Sequence, residues 1–411
     1  MEMINVLLSI ALILVLGLTA ARLCEQIRLP GLFGMILVGI LLGPHGLNRL
    51  DASLLAISAD LRKMALIVIL MRAGLTLNAR DLLKNGRSAI LMCFVPAAFE
   101  MLGMVLFAPL FLDISRIEAA VMGAVVAAVS PAVVVPRMIR LTEGGYGTKN
   151  GIPQLIMAGA SVDDIFVIVM FSAFVGLAQG GKLSPVSFVN IPVSILLGIA
   201  VGVAVGCLLL FILRYARLAH TAQVILLMGV SLGLVAIENT LQTPITFSAL
   251  LSVMAMGAVL RAKAGACAAR LSQGFDRLWS WGEIMLFVLV GASVSIVSLG
   301  ADAPAALCAV LSALVFRAVG VLCCLLCSRL SCREKLFCVL AYLPKATVQA
   351  AIGGLPLAMG LSCGEIVLTV AVLSILVTAP LGAICIDQTY KRLLDGSEKG
   401  ESDGKIIQNE V

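Results

Sequence analysis

The feature that most restricts the fold of this chain is a succession of apolar segments about 20 residues long, separated by short charged loops. Hydrophobic residues fill 61% of the 411 positions and charged residues only 13%, which is too little charge to cover the surface of a soluble domain. The first apolar segment lacks the basic start and small-residue cleavage site of a removable signal. The sequence therefore predicts an all-α polytopic membrane protein that keeps its first helix.

The loops between these segments predict an orientation. Loops after odd-numbered helices hold 21 Lys and Arg residues, whereas loops after even-numbered helices hold 5, and basic loops stay in the cytoplasm. We therefore expect a cell (plasma) membrane protein with its N-terminus outside, a membrane domain over 1–386 and a disordered cytoplasmic tail over 387–411. Thirteen transmembrane helices are predicted, at about 3–21, 29–47, 61–78, 88–111, 116–140, 152–178, 188–213, 221–238, 244–261, 282–299, 304–327, 334–359 and 363–386.

Two composition features invite other interpretations. The net charge of +6 comes from basic residues spread through the loops, so it does not indicate a nucleic-acid partner. Most of the twelve cysteines lie in apolar runs, and no cysteine cluster has a histidine beside it. We therefore expect small apolar residues in helix contacts rather than disulfides or a resident metal site.

Two of the predicted helices are interrupted by proline. The fifth contains Ser130 followed by Pro131, and the twelfth contains Pro344 followed by Lys345. Proline removes a backbone donor and clashes one turn back, so each helix should unwind there. The breaks are seven helices apart, so their helices run in opposite directions, which is typical of inverted repeats with a central binding site.

This spacing predicts inverted five-helix repeats with two crossed, interrupted helices. Repeat one would cover about 29–178 and repeat two about 244–386, with linker helices over about 188–238 between them. The first predicted helix would then be an extra one, outside both repeats. The crossing of the two breaks is where we expect the binding site.

Two adjacent carboxylates, Asp163 and Asp164, lie near the middle of the predicted helix that follows the first break. An ionisable residue at this depth costs about 2.5–3.5 kcal/mol on insertion scales. Adjacent carboxylates also repel each other, so keeping both charged requires a cation, a basic partner or a proton. Ser130, Ser161 and Thr347 could add the neutral oxygens that hard cations prefer. The sequence therefore predicts an ion-binding site.

Three further charges lie in apolar sequence. Glu100 and Arg317 occupy equivalent helices of the predicted repeats, and we expect them to form a structural salt bridge; alternatives are a pair that loosens with pH, or competition of Arg317 for the aspartates. Lys345 could neutralise the half-helix dipoles or pair with an aspartate. We expect it to pair with Asp163, which leaves Asp164 as the main ion ligand.

Three segments of this chain resemble the monovalent cation:proton antiporters. They are Gly123–Pro136, Ser161–Asp164 and Pro344–Ala350. The resemblance extends over nearly the whole chain and is closest to the NHA branch, the sodium/proton antiporters related to the mammalian NHA exchangers. Those relatives carry a long extra N-terminal segment, and its absence here suggests a bacterial member.

The resemblance implies an NhaA/NapA-like antiporter fold with a six-helix core domain that moves against a dimerisation domain. That motion is elevator-type alternating access in a homodimer. It also implies ion binding by Asp163 and Asp164, and it places Arg317 where electrogenic relatives carry lysine. This departure leaves the stoichiometry open between electrogenic exchange and an electroneutral one-for-one exchange.

The mechanism suggested by these residues is competition between a proton and Na⁺ or Li⁺ for Asp164 beside Asp163. The alternative is K⁺/H⁺ exchange by the same fold.

An intramembrane aspartyl protease also needs two buried carboxylates, but adjacent residues of one helix point about 100° apart and cannot face each other. A channel is disfavoured by the inverted, crossed breaks. We expect no enzyme activity and no cofactor.

Overall fold

The described part of the chain is mostly α-helical and contains no strand. A computed structural model describes residues 5–27, 29–76, 86–179, 185–216, 218–240, 247–294 and 296–396. The helices up to the middle of the chain are α1 (Val6–Gln26), α2 (Gly31–Leu42), α3 (Ala52–Ala56), α4 (Ser58–Thr76), α5 (Gly86–Met92), α6 (Val95–Phe111), α7 (Arg116–Val126), α8 (Pro131–Glu143) and α9 (Ile152–Gln179). The remaining helices are α10 (Pro185–Tyr215), α11 (His220–Thr240), α12 (Ala249–Lys263), α13 (Gly265–Ala292), α14 (Ile296–Leu325), α15 (Cys332–Ala341), α16 (Thr347–Ile352), α17 (Leu355–Ala358) and α18 (Gly364–Leu393).

Both predicted helix interruptions are confirmed. The first separates α7 from α8, with Pro131 as the first residue of α8, where its missing N–H costs nothing. The second separates α15 from α16 and contains Pro344. The two interrupted helices begin in the same way. Ser115 caps α7 and Ser331 caps α15, and each serine forms a reciprocal capping box with the glutamate three residues later in the chain.

The prediction is wrong for the tenth helix, which was placed at 282–299 after a long basic loop. Instead, α13 begins at Gly265 and ends at Ala292, and α14 begins at Ile296. Ala268, Leu271 and Phe275 are buried at spacings of three and four residues, while Arg270 is exposed. These residues therefore form an amphipathic helix, which a search for uniformly apolar segments does not detect.

The last predicted helix also ends later than the sequence indicated, at residue 393 instead of 386, because α18 continues to Leu393. Tyr390 packs edge-on against Tyr146 with ring centroids 4.9 Å apart, and Gly147 N donates to Asp395 O at 2.9 Å. The first residues of the predicted tail thus pack on the loop between α8 and α9. Residues 397–411 lie outside the described part of the chain.

The described helices pack into two groups. Helices α1, α2, α4 and α10–α13 form one group, held by contacts of α4 with α12 and α13 and of α2 with α13. Helices α5–α9 and α14–α18 form the other, in which α6 packs along α14. Both interrupted helices and the helix with the paired aspartates belong to the second group. We call the first set of helices the outer group and the second set the core group.

Close helix contacts in the outer group depend on glycine. A side chain at Gly39 of α2 would overlap Val288 O of α13, and one at Gly291 would overlap Ile36 O. Small residues at such positions let helix backbones approach closely, which is a common way of packing helices in membranes.

Eight helical stretches in the described residues are long and apolar enough to cross a membrane. Large apolar side chains also lie exposed on the surface, among them Val15 on α1 and Leu196 and Phe211 on α10. An exposed apolar surface of this kind needs lipid or another protein against it. The chain is therefore a multi-pass membrane protein, while its count of thirteen spans stays a prediction.

Candidate functional site

The two helix interruptions cross inside the core group and hydrogen-bond to each other. Ser130 N, before α8, donates to Pro344 O, before α16, at 2.8 Å. Gln349 of α16 donates through Nε2 to Ala128 O at 2.8 Å and to Val126 O at 3.2 Å. The residues of the crossing are almost completely buried. Backbone groups freed by unwinding are thus satisfied by the opposite interruption, as irregular backbone at membrane depth requires.

Both aspartates of α9 lie beside this crossing. Asp163 is fully buried, and its Oδ2 accepts from Val129 N at 2.8 Å and from Arg317 Nη2 at 3.0 Å. Asp164 is 8% exposed and makes no hydrogen bond or ion pair with the described residues. The two carboxylates therefore have different surroundings: one is held by donors, and the other is open to a further ligand.

The buried charges form one connected network. Arg317 Nη1 donates to Glu100 Oε2 at 2.7 Å and to Ala127 O, and Arg317 Nε donates to Tyr342 O at 2.6 Å. The predicted contact between Glu100 and Arg317 is therefore present. Because Arg317 also binds Asp163, it takes part in both the salt bridge and the aspartate site, which the sequence had left as alternatives.

The predicted partner of Lys345 is wrong. Its Nζ lies 2.5 Å from Glu100 Oε2 and 3.4 Å from Ala127 O, and Asp163 is paired with Arg317 instead. Both cations therefore meet at the carboxyl end of α7, where the helix dipole and the free carbonyls favour positive charge. Lys345 N is fixed as well, by donating to Thr378 Oγ1 at 2.9 Å.

Four buried oxygens of the predicted ion ligands have no hydrogen-bond partner among the described residues. They are Asp163 Oδ1, Asp164 Oδ1, Ser130 Oγ and Thr347 Oγ1. Buried polar atoms are nearly always satisfied, and each exception calls for an explanation such as a missing ion. Carboxylate and hydroxyl oxygens are the ligands that hard cations prefer. All four belong to residues that the sequence had singled out; the Ser161 side chain lies outside the described part of the structure.

The formal charges of the site do not cancel. Glu100, Asp163 and Asp164 are three carboxylates, while Arg317 and Lys345 are two cations, so the fully ionised site carries one net negative charge. An uncompensated charge in a buried site is costly. One monovalent cation or one proton would restore neutrality. Asp164 is the carboxylate of the three that lacks an ion-pair partner among the described residues.

A cavity of about 630 Å³ lies between the outer and core groups. Its wall includes Glu25 and Glu283 from the outer group, and Ala132, Arg137 and Asp387 from the core group. Arg137 Nε donates to Asp387 Oδ2 at 3.2 Å. Because Ala132 is in the first turn of α8, the cavity reaches the neighbourhood of the crossing from one end of the molecule.

Sequence reasoning missed two residues of this region. Gln349, which joins the two interruptions, is a polar residue one turn into an apolar half-helix, and that position was the available signal. Glu283, at the start of the helix predicted over 282–299, lies inside α13 and lines the cavity. Its signal was hidden because the extent of α13 was not recognised.

Comparison with known proteins agrees with this arrangement. The family described as "Sodium/hydrogen exchanger, transmembrane" matches residues 10–391. This chain belongs to that family. The exchanger is 34% identical to mouse (Mus musculus) sodium/hydrogen exchanger 9B2 over 387 residues, which are 90% of this chain and 69% of the mouse protein. It is 32% identical to human (Homo sapiens) sodium/hydrogen exchanger 9B1 over 376 residues, 87% of this chain and 71% of the human protein.

A solved structure shows the same fold. The sodium proton antiporter MjNhaP1 from Methanocaldococcus jannaschii at pH 8 superposes with a TM-score of 0.81, covering 96% of this exchanger and 99% of that chain, at 21% sequence identity. The resemblance to cation:proton antiporters, first noted in three short segments, is therefore confirmed across the chain. The family is one of transporters, in agreement with the prediction that the exchanger is not an enzyme.

Proposed function

We propose that this exchanger is a secondary active antiporter that exchanges Na⁺ or Li⁺ for H⁺. The observation that carries the proposal is the set of four unpartnered buried oxygens around a site with one uncompensated negative charge. Such a site is suited to a monovalent cation without its water shell, and equally to a proton on a carboxylate. K⁺/H⁺ exchange by the same fold is the alternative.

The cation and the proton compete for Asp164. In the cation-bound site, Asp164 is the main ligand, and Asp163, Ser130, Thr347 and Ser161 supply further oxygens. In the protonated site, the neutral Asp164 no longer attracts a cation. Its freedom from ion pairs among the described residues supports this assignment, since a carboxylate already neutralised by a basic side chain would bind a cation weakly.

The remaining charges balance the site. Arg317 neutralises Asp163 in part, and Lys345 compensates Glu100. Because one net negative charge is left, one bound cation or one bound proton makes the site neutral in either case. We therefore propose an electroneutral one-for-one exchange, in which the membrane potential does no work on the loaded site.

Transport follows elevator-type alternating access, in which the core group slides against the outer group. The division of helices into these groups supports the proposal, as does the cavity that lies between them. With the N-terminus outside the plasma membrane, this cavity opens to the cytoplasm. The inverted repeats and a homodimer through the outer group belong to the same proposal.

A cross-link tests the sliding motion. The buried Arg62 of α4 lies against Gly354, which follows α16, so the outer and core groups touch there away from the cavity. Arg62→Cys with Gly354→Cys, in a variant lacking the native cysteines, should react with a bifunctional methanethiosulfonate reagent about as long as an arginine side chain, because the guanidinium of Arg62 spans this gap. The resulting cross-link should stop exchange until a reductant is added. Exchange that continues in the fully cross-linked protein would contradict the elevator.

The decisive experiment is cation-driven proton movement in liposomes of the purified protein, with Na⁺, Li⁺ and K⁺ in turn and the membrane potential clamped. Flux with Na⁺ or Li⁺ that disappears in Asp164→Asn, but persists in the exposed control Asp113→Asn, would support the proposal. Flux with K⁺ alone would favour the alternative. No flux from folded protein, or flux that survives in Asp164→Asn, would overturn it.

A further inference from the structure

Tyr342 holds Arg317 from two sides. Its ring lies 5.3 Å from Arg317 Cζ, measured to the ring centroid, and its backbone carbonyl accepts from Arg317 Nε at 2.6 Å. Tyr342 follows α15 directly, at the start of the second interruption. A guanidinium that contacts both an aromatic face and a carbonyl cannot rotate freely, so the orientation of its two Nη atoms is fixed. In this orientation Nη1 donates to Glu100 and Nη2 donates to Asp163.

The phenol end of Tyr342 is fixed by α9. A Cβ at Gly159 would overlap Tyr342 Oη, with Tyr342 Cζ at 3.2 Å and Met92 Cβ at 3.0 Å. Only glycine therefore leaves room for the ring at this place. Gly159 precedes Asp163 by four residues, so both are on the same face of α9, one turn apart. The fully buried hydroxyl has no hydrogen-bond partner among the described residues, so these residues hold the phenol by packing.

We propose that Tyr342 is a positioning residue for the ion site: seated in the space at Gly159, it holds Arg317 against Asp163 and Glu100. The inference rests on the proposed function, because its consequence is the affinity of that same site for a cation. The ring, and not the hydroxyl, does the positioning. Asp163 is thereby kept paired, and Asp164 remains the open ligand.

The test uses a steric clash and its relief. Gly159→Ala pushes the phenol away from α9 and moves Arg317 with it, and a displacement of about 1 Å can cost about a hundredfold in a site that depends on geometry. We expect the KM for Na⁺ in liposomes to rise about tenfold. Tyr342→Phe removes the overlapping oxygen, so Gly159→Ala with Tyr342→Phe should return the KM to within about twofold of the wild type.

Three further variants give the test its controls. Gly176→Ala, on the same helix with nothing near the added carbon, should leave the KM unchanged. Tyr342→Phe alone should also leave it unchanged, whereas Tyr342→Leu, which removes the aromatic face, should raise it as Gly159→Ala does. A purely structural defect would reduce the amount of active protein and hence the maximal rate, with the KM unaltered.

The outcomes separate this inference from the proposed function. If the wild-type protein moves no cation, the proposed function is overturned, and the proposed role of Tyr342 in ion affinity is overturned with it. Normal wild-type exchange combined with an unchanged KM in Gly159→Ala would overturn only the inference. A raised KM that Tyr342→Phe does not restore would do the same, because the phenol oxygen would then not be the group that is displaced.

Discussion

Gln349 connects the two interrupted helices, and its removal should destabilise their crossing. Its Nε2 donates to Ala128 O and Val126 O, and its Oε1 accepts from Ala346 N at 2.8 Å. All of these groups are buried, so Gln349→Leu leaves two backbone carbonyls and a backbone N–H without partners. At about 1–3 kcal/mol for each orphaned group, the loss is about 3–9 kcal/mol. A leucine of similar volume does not offset this loss, because the orphaned groups remain buried.

Thermal unfolding of the purified protein in detergent measures this effect. Gln154→Leu is the matched control, because it makes the same change on α9 where the buried Oε1 has no hydrogen-bond partner among the described residues. It should change the stability by no more than about 0.5 kcal/mol. If Gln349→Leu unfolds at the same temperature as Gln154→Leu, the crossing is not held by this side chain and the reasoning is refuted.

Three further predictions concern the charges, the free oxygens and the helix packing. Glu100→Gln should destabilise the protein by about 3–5 kcal/mol. The loss should exceed that of Lys345→Met, because Glu100→Gln breaks the ion pairs of two cations and Lys345→Met breaks one. Equal unfolding temperatures of the two variants would contradict this. Ser130→Ala and Thr347→Ala should raise the KM for Na⁺ without lowering the unfolding temperature, since neither hydroxyl has a hydrogen-bond partner among the described residues to lose; an unaltered KM in both would remove them from the ligand set. Gly39→Leu should prevent the contact of α2 with α13 and reduce the yield of folded protein; a normal yield with normal exchange would show that this contact can open.

The interruptions could be predicted from the sequence because their causes are local. A proline within an apolar run acts on its own turn and on the one before it, so Pro131 and Pro344 locate the breaks without knowledge of the fold. The adjacent aspartates were also found locally, since a charge in an apolar run stands out wherever it lies. The extent of α13 was missed because its first half is amphipathic, with Arg270 exposed beside buried Leu271, and a hydropathy window averages the two faces.

The pairing of the buried charges could not be predicted, because a choice among partners depends on how helices cross. Lys345 and Arg317 are both long enough to reach several carboxylates, and hydropathy places all of them at similar depth. Their partners follow from the carboxyl end of α7, which Ala127 O marks and which both cations contact. There Glu100 forms an ion pair with Arg317 and another with Lys345, so its carboxylate is shared by both cations. Asp163 then shares Arg317, and Asp164 is left as the only one of the three carboxylates without an ion pair among the described residues. A site with one free carboxylate has one place for a proton or a cation, and the proposed one-for-one exchange rests on this arrangement.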